Sequence, residues 1–309
     1  MRSFTRRRFL SIAACVAVAG SGRHEPATAA RVTWRGTALG ADVSITLDGP
    51  EDLTRPALAR ARLEIDAYEA RFSLFRANSE LVRLNAHGHL PDLDARWHDM
   101  LALCDRLHRE TNGLFDPTIQ PLWLAYAAGG VPDEARASVG WDRVTLPDAA
   151  RRGVRLGAGQ ALSFNGIAQG AATDAVRKVL QAAGMTRVMV DIGEVATLGG
   201  PWHLGASDPD QGHFSTVQLD DMAMAVSSPA ALRLDNTAHH ILHPHGPAHP
   251  RWSSVAVIAR SAAIADGLST AACFMDKAAL RSCAMRLGGI DRVLLLDRHG
   301  ACETILVQV

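Results

Sequence analysis

The chain has 309 residues, of which 48% are hydrophobic and 21% charged, and its formal net charge is zero. That length and apolar content are enough to bury a substantial core, as one large domain or two lobes. The even charge balance excludes the basic excess of a nucleic-acid binder, the charged fraction argues against global disorder, and two tyrosines are too few for a single-strand stacking platform.

The chain opens on Thr5-Arg6-Arg7-Arg8-Phe9-Leu10, followed by a short apolar run and a later Ala27-Thr28-Ala29 triplet. Basic start, apolar stretch and small-residue exit describe a signal peptide over 1–30. The paired arginines before Phe-Leu match the twin-arginine form, which exports folded proteins to the periplasm. Ile12-Ala13-Ala14-Cys15 has the look of a lipoprotein cleavage box, which would leave the protein associated with the inner membrane. The apolar run before Cys15 is short, so release near Ala29 or Ala30 is the better reading. No other run has the apolar length of a membrane-spanning helix.

Val32 to Leu47 reads as extended structure with a turn at Leu39-Gly40, and Asp42 to Leu47 alternates with period two. Leu53 to Arg71 carries the spacing of an amphipathic helix. Ser79 caps a short helix through Leu84. Asp94 to Thr111 is helical and exits at Asn112-Gly113. Pro117 and Pro121 mark an irregular segment, and Pro132 to Ala161 is turn-rich with short strands around Val144 and Val154. Gly166 to Ala183 forms a helix closed by Gly184, Arg187 to Ile192 a buried strand, and mixed strands run through Val226. Ser254–Ala259 is a strand, Ile264–Met275 and Lys277–Leu287 are helices, and strands at Arg292–Asp297 and Thr304–Val309 close the chain. The class is α+β. Cys104 and Cys273 fall within helical patterns as core residues, and the cysteine spacing fits no zinc site.

Four segments carry chemistry. Asp266 and Thr270 lie four apart on one face of a helix otherwise rich in Ala and Leu, and both offer the hard oxygen that Mg²⁺ prefers. Such pairs often sit on solvated faces, but on an apolar helix they need a partner. Ser163-Phe164-Asn165-Gly166-Ile167-Ala168-Gln169-Gly170 runs into a helix, and its small residues let backbone N–H groups approach an anion. A plain Asn-capped helix with a packing glycine fits the same letters equally well. Gly113-Leu114-Phe115-Asp116-Pro117-Thr118 reads first as a fixed turn. In His239-His240-Ile241-Leu242-His243-Pro244-His245, His240 precedes two apolar residues and points to a site, whereas His239, His245 and His249 read as solvated surface.

In their order these segments resemble the ApbE flavin transferases. The resemblance takes in Leu39-Gly40, Phe72-Ser73-Leu74-Phe75-Arg76 with Ser79-Glu80-Leu81 and Leu84-Asn85, Phe115-Asp116-Pro117, the Gly-Ile-Ala-x-Gly helix start, His240-Ile241-Leu242-x-Pro244, and Ala265-Asp266 with Thr270. It spans nearly the whole mature chain, 31–309. It implies a mixed α/β body with T-fold-like elements and a flavin cleft between two lobes. It implies Mg²⁺ held by the Gly166 carbonyl, Asp266 and Thr270, and FAD contacts from Leu39, Phe75, Leu114, Phe115, Asp116, Gln169, Leu242 and Ser269. His240 takes the place of a histidine active in proton transfer or transition-state contact.

The activity implied is Mg²⁺-dependent transfer of FMN from FAD to a Ser or Thr of a partner, releasing AMP. The implied partner is an acceptor flavoprotein of an envelope electron-transfer system, NosR-like or RnfG/NqrC-like. The chain departs from the family pattern at Gln169, where Lys is common, at His243, where Asp is common, and at Leu39-Gly40-Ala41, Gly193-Glu194 and Ser227-Ser228-Pro229. Several of these departures resemble a proteobacterial branch that includes the NosX proteins of nitrous-oxide respiration. The missing Lys and Asp keep two other readings open, a non-catalytic envelope FAD-binding protein and an enzyme that hydrolyses FAD to FMN and AMP.

Overall fold

The structure, a computed structural model, describes residues 30–150, 152–235 and 238–307. The expected leader, with Arg6, Arg7 and Cys15, lies outside them. Among the described residues no helix is long and apolar enough to cross a membrane.

Strands β1 (Arg31–Ala38) and β2 (Ala41–Asp48) form a hairpin closed by Leu39 and Gly40, at φ 50° and 82°. Two positive φ values in a two-residue loop match the right-handed twist of the flanking strands. A leucine there is uncommon, and it is held from both sides. Its N–H donates to Glu69 Oε1 at 3.0 Å and its carbonyl accepts from Gln169 Nε2 at 3.5 Å.

Helix α1 (Glu51–Phe72) is followed by α2 (Glu80–His87), whose Ser79 cap accepts from the Val82 N–H, and by β3 (His89–Leu90). Asp94 caps α3 (Ala95–Glu110), which leaves through Asn112 and Gly113, both at positive φ. The segment expected to be irregular around Pro117 and Pro121 is instead a 3-10 turn over Pro117–Ile119 leading into α4 (Gln120–Ala128). Pro121 sits in the first helical turn, where its missing N–H is no loss. Helix α5 (Pro132–Arg136) and β4 (Val154–Arg155) follow. The strand expected at Val144 reduces to one bridge between Thr145 and Arg155. Helix α6 (Ala168–Ala182) begins two residues later than expected. Its N-cap is Ile167, which makes no side-chain cap, so the Asn-capped alternative falls.

The remaining strands are β5 (Val188–Asp191), β6 (Val195–Leu198), β7 (Trp202–Asp208), β8 (Gly212–Leu219), β9 (Ala223–Ser227) and β10 (Ser254–Ala259). Helices α7 (Ala262–Ala272) and α8 (Lys277–Leu287) precede β11 (Ile290–Leu296) and β12 (Cys302–Leu306). Eight strands make one sheet in the order β1-β2-β5-β6-β9-β10-β11-β12, and every pairing is antiparallel. β10 is buried at all six positions because both faces are covered. The main core, with Ile45, Val190, Val257 and Val293, lies under the helices. A second cluster, with Trp202, Leu204, Ala256 and Ile258, lies under the β7-β8 hairpin. The α+β class stands. Cys104 and Cys273 are buried and free, as their positions in the helical patterns suggested.

The helices α6 and α7 approach unusually closely because their contact face is made of small residues. A Cβ on Gly170 would lie 2.5 Å from the Ala262 carbonyl oxygen. On the face that α7 turns to α3, a Cβ on Gly267 would collide with a terminal methyl of Leu107. Each helix also caps the other. Asp174 of α6 accepts from the N–H groups of Ala262 and Ala263 at 3.0 and 3.1 Å, and Asp266 of α7 accepts from Gly170 N–H at 3.1 Å. Four first-turn N–H groups have no partner within a helix, so carboxylates from a neighbouring helix are a stable answer. Gly170→Ala is therefore expected to lower unfolding stability by about 1–3 kcal/mol, the cost of forced overpacking. Gly267→Ala meets a movable side chain and is expected to cost less. Urea midpoints of the two variants check the order.

Candidate active site

The turn of the β1-β2 hairpin, the 114–117 turn, the start of α6 and the 240–242 segment enclose a cleft of about 290 Å³. Of the residues singled out from sequence, Leu39, Phe75, Leu114, Phe115, Asp116, Gly166, Gln169, His240, Leu242, Asp266 and Thr270 all line it. Ser269 does not. It is fully buried one layer behind, bonding Ser227 Oγ at 2.7 Å and donating to the Asp266 carbonyl at 2.9 Å.

The motif residues shape this cleft through ordinary local bonds. Ser73 Oγ accepts from the N–H groups of Phe75 and Arg76, and Ser79 Oγ donates to the Ser73 carbonyl. That knot sets Phe75 beside the hairpin turn, where a Cβ on Gly40 would lie 2.5 Å from its ring. Asn85 exchanges two bonds with the backbone of Leu162, at 2.9 and 2.7 Å, and Ser163 N–H donates to the Pro117 carbonyl. The chain is thereby steered into Gly166. Asp116 is spent on structure. Its carboxylate accepts from Thr118 N–H, Thr118 Oγ1 and Trp141 N–H, so its side chain fixes the turn that presents Phe115. His245 stays exposed but packs its ring over Gly113, where a Cβ would lie 2.8 Å away.

One end of the cleft concentrates negative charge in a dry place. Asp266 is 4% exposed and Glu194 9% exposed. Burial pushes Asp266 well above the usual carboxylate range, against the pull of the Gly170 N–H. Burial pushes Glu194 up as well, and repulsion from Asp266 and Asp191 adds to it. Burial raises Asp191 to about 6, offset in part by the Gly193 N–H. No Lys or Arg pairs with any of the three among the described residues. One oxygen of Asp266 takes the Gly170 N–H and one of Glu194 the Val226 N–H at 3.3 Å, and the other oxygens receive no donor from the described residues. Thr270 Oγ1 is beside them, 3.5 Å from Ser227 Oγ, and a Cβ on Gly166 would lie 3.0 Å from it. Hard oxygens with a surplus of buried negative charge suit a divalent cation. Among the described residues there is no group of three or more His, Cys, Asp or Glu side chains placed to hold a metal. This end of the cleft offers carboxylate and hydroxyl oxygens, from Asp266, Glu194 and Thr270, instead.

His240 supplies the opposite character. Its Nδ1 lies 3.2 Å from the Leu232 carbonyl. Burial lowers it to about 4, although the Leu232 and Pro229 carbonyls pull the other way. The ring is neutral at pH 7. With Nδ1–H donating to Leu232, Nε2 is the basic nitrogen.

Sequence reasoning missed three contributors. Glu194 drew notice only as a departure from the family pattern, yet it is the partner of Asp266. Asp174 fixes α7 from a distance of eighty-eight positions along the chain. Asp208 lines the cleft while accepting from Ser253 Oγ and Ser254 Oγ at 2.8 and 2.6 Å. None of the three has a local signature, because each works through a contact distant in sequence. His239, read as solvated, has a buried Nδ1 without a hydrogen-bond partner. His249 is exposed, as expected.

Residues 39–294 match the ApbE family. The fold is similar to that of the ApbE protein from Thermotoga maritima, with TM-score 0.78 and 25% identity over 89% of this chain and 96% of that one. It is also similar to the apo form of the flavinyl transferase ApbE from Pseudomonas stutzeri, with TM-score 0.75 and 24% identity over 91% and 97% of the two chains. The flavin transferase ApbE from Vibrio cholerae gives TM-score 0.75 and 23% identity over 90% and 97%. No curated protein matches. With the match running through every segment that builds the cleft, this chain belongs to the ApbE family.

Proposed function

We propose that this protein transfers FMN from FAD to a Ser or Thr hydroxyl of an acceptor flavoprotein, releasing AMP, with Mg²⁺ held by Asp266, Thr270 and the Gly166 carbonyl. The observation that carries this reading is the unpaired, buried carboxylate pair Asp266–Glu194 beside Thr270 in a cleft whose other wall holds a neutral His240. Similar proteins of Pseudomonas stutzeri and Vibrio cholerae carry the name of flavin or flavinyl transferases, which supports the same reaction here. The acceptor we propose is a flavoprotein of an envelope electron-transfer system, reached after export through the twin-arginine leader.

The reaction is displacement at phosphorus. A bond forms between the acceptor oxygen and the FMN phosphorus, the bond from that phosphorus to the bridging oxygen breaks, and AMP leaves with that oxygen. When bound, Mg²⁺ polarises the phosphate oxygens and offsets the charge that builds on them. Leu39, Phe75, Leu114, Phe115 and Leu242 offer the apolar walls for a flavin ring. His240, neutral at the working pH, takes the proton of the acceptor hydroxyl on Nε2, while the Leu232 carbonyl holds the ring in the required tautomer. Gln169 gives no cationic contact to a phosphate. Its amide supports the Leu39 turn instead, so the charge a Lys would bring is absent from this end of the cleft.

Incubating the mature protein with FAD and Mg²⁺, with and without an acceptor domain, tests the reading. Modified acceptor supports it, AMP formed without acceptor points to hydrolysis, and intact bound FAD points to a carrier. Asp266→Ala and chelation with EDTA are each expected to reduce transfer by orders of magnitude, EDTA with the circular dichroism spectrum unchanged because the metal is catalytic and not a structural staple, and Asp266→Ala with a lower melting temperature because Gly170 N–H loses its acceptor. Full activity in EDTA overturns the metal assignment.

His240→Ala is expected to cut transfer by roughly a hundredfold to ten-thousandfold, the usual worth of acid–base help, with FAD affinity held. His245→Ala serves as the control, with mild effect. Loss of FAD binding with turnover intact would make His240 a binding residue.

The carboxylates also set a pH dependence. In the folded protein Glu194 titrates well above its ordinary 4.5, so without a cation its ionisation opposes folding. The penalty is absent below pH 4.5 and grows as pH rises toward the folded value. In EDTA, Glu194→Gln should therefore melt at a higher temperature than the parent at pH 8 and at the same temperature at pH 4.

A further inference from the structure

A second cavity, of about 280 Å³, adjoins the flavin cleft. Ile241 and Leu242 line both. Its remaining wall comes from Tyr126 of α4, Arg136 at the end of α5 and the 238–250 segment. The lining holds one guanidinium, the imidazoles of His239, His243 and His249, and one phenol, and it contains no Asp or Glu. Arg136 Nη1 donates to the carbonyls of His243 and Pro244 at 2.8 and 3.3 Å, which holds the side chain in place without neutralising it. No described carboxylate pairs with Arg136. Its Nε is buried without an acceptor, and His239 Nδ1 is buried without a partner. Among the described residues these are the two buried side-chain polar atoms left unsatisfied, and both residues line this one cavity. Buried donors normally find partners, so a cavity whose guanidinium keeps a buried, unsatisfied N–H and whose lining has no acid is built for an oxyanion.

The reacting phosphates of FAD belong elsewhere, since Asp266, Thr270 and Gly166 line the first cleft and none of them reaches the second. The rim around the second cavity has the character of a protein-binding surface. Helix α4 is rich in apolar residues, yet Leu122 is its one buried residue. Leu124 is 50% exposed and Val131, just beyond the helix, 58%. Trp123 of the same helix lines the cleft and Tyr126 the second cavity, so α4 bridges the two along the rim.

We propose that this second cavity binds a carboxylate, an acidic side chain of the acceptor protein near its modified Ser or Thr. The assignment to the acceptor rests on the transferase reading. In this arrangement Arg136 holds the acid beside the His239 ring while the apolar face of α4 receives the neighbouring segment, and the hydroxyl is brought over the Ile241–Leu242 wall to His240. Arg136 is a binding residue and takes no part in the proton transfer.

Two measurements test it. In the first, the EDTA-treated protein carrying ¹³C-labelled histidine is titrated with sodium acetate, and separately with AMP, while ring signals are followed by NMR. Acetate should shift the His239 signals saturably. Arg136→Gln should weaken this by about tenfold or more, as expected for loss of a charge-assisted bond, and Arg136→Lys should recover part of it. FAD affinity of both variants should stay within about twofold of the parent, since the cleft does not use Arg136. Silence of His239 toward acetate, competition between acetate and FAD, or tighter binding of AMP than acetate at His239 would each overturn the proposal. In the second, Arg136→Gln should raise the KM for an acceptor domain by about tenfold with kcat and the KM for FAD unchanged, and changing the acceptor's nearby acid to its amide should add nothing further in the double variant. A fall in kcat at constant KM overturns it. Absence of transfer by the parent protein overturns the transferase reading and with it the acceptor assignment, whereas the acetate titration reads the cavity in either case.

Discussion

Everything at the active site depends on two helices that cap each other. Asp174 of α6 holds the first turn of α7, and Asp266 of α7 holds the first turn of α6. The exchange works because Gly170 lets the two helix starts come within van der Waals reach of backbone. One carboxylate of that exchange is also the charged group of the proposed metal site. The same contact that orients α7 against the sheet therefore sets Asp266 and Thr270 against Gly166, and packing and chemistry cannot be varied independently here.

The cleft separates its titrating groups by environment. At one end burial pushes Glu194 and Asp266 up, and repulsion from Asp266 and Asp191 raises Glu194 further, so their ionised form is held at a cost. At the other, burial pushes His240 down, so the ring is held neutral. Groups moved in opposite directions within one cleft are the pattern from which acid, base and metal roles are assigned. Desolvation is the largest influence on all three, which makes the dryness of the cleft the common cause. That dryness comes from the apolar walls and from side chains such as Ser269 and Asp116 that are fully engaged by the protein.

Several motif residues serve the site through bonds to backbone. Ser73, Ser79 and Asn85 make backbone-directed bonds that set Phe75 and the approach to Gly166. Asp116 holds its own turn, and Gln169 props the strained Leu39 turn. For these positions the geometry explains the residue type: a short hydroxyl, amide or carboxylate that satisfies backbone groups where no regular ladder can. The departure to Gln at 169 is tolerated by the fold because an amide reaches the Leu39 carbonyl.

The sequence by itself determined what is encoded locally. Period-two alternation drew the β1-β2 hairpin, and Ser79 was legible as a cap because it acts on an N–H group three residues away. The spacing of Asp266 and Thr270 placed two oxygens on one helix face, and the order of short motifs pointed to the family and to a set of residues of which all but Ser269 line the cleft. Local signals misled where two structures share the same letters, as at Pro121, which opens a helix, and at Asn165, which caps none. Only the tertiary structure decided the rest. It paired Asp266 with Glu194 across seventy-two positions, placed Ser269 behind the wall, and turned His239 from a surface residue into a half-buried one facing a second cavity with Arg136. Those outcomes depend on which distant elements share a dry space, and no periodicity along the chain records that, because desolvation belongs to the packed assembly and not to any segment of it.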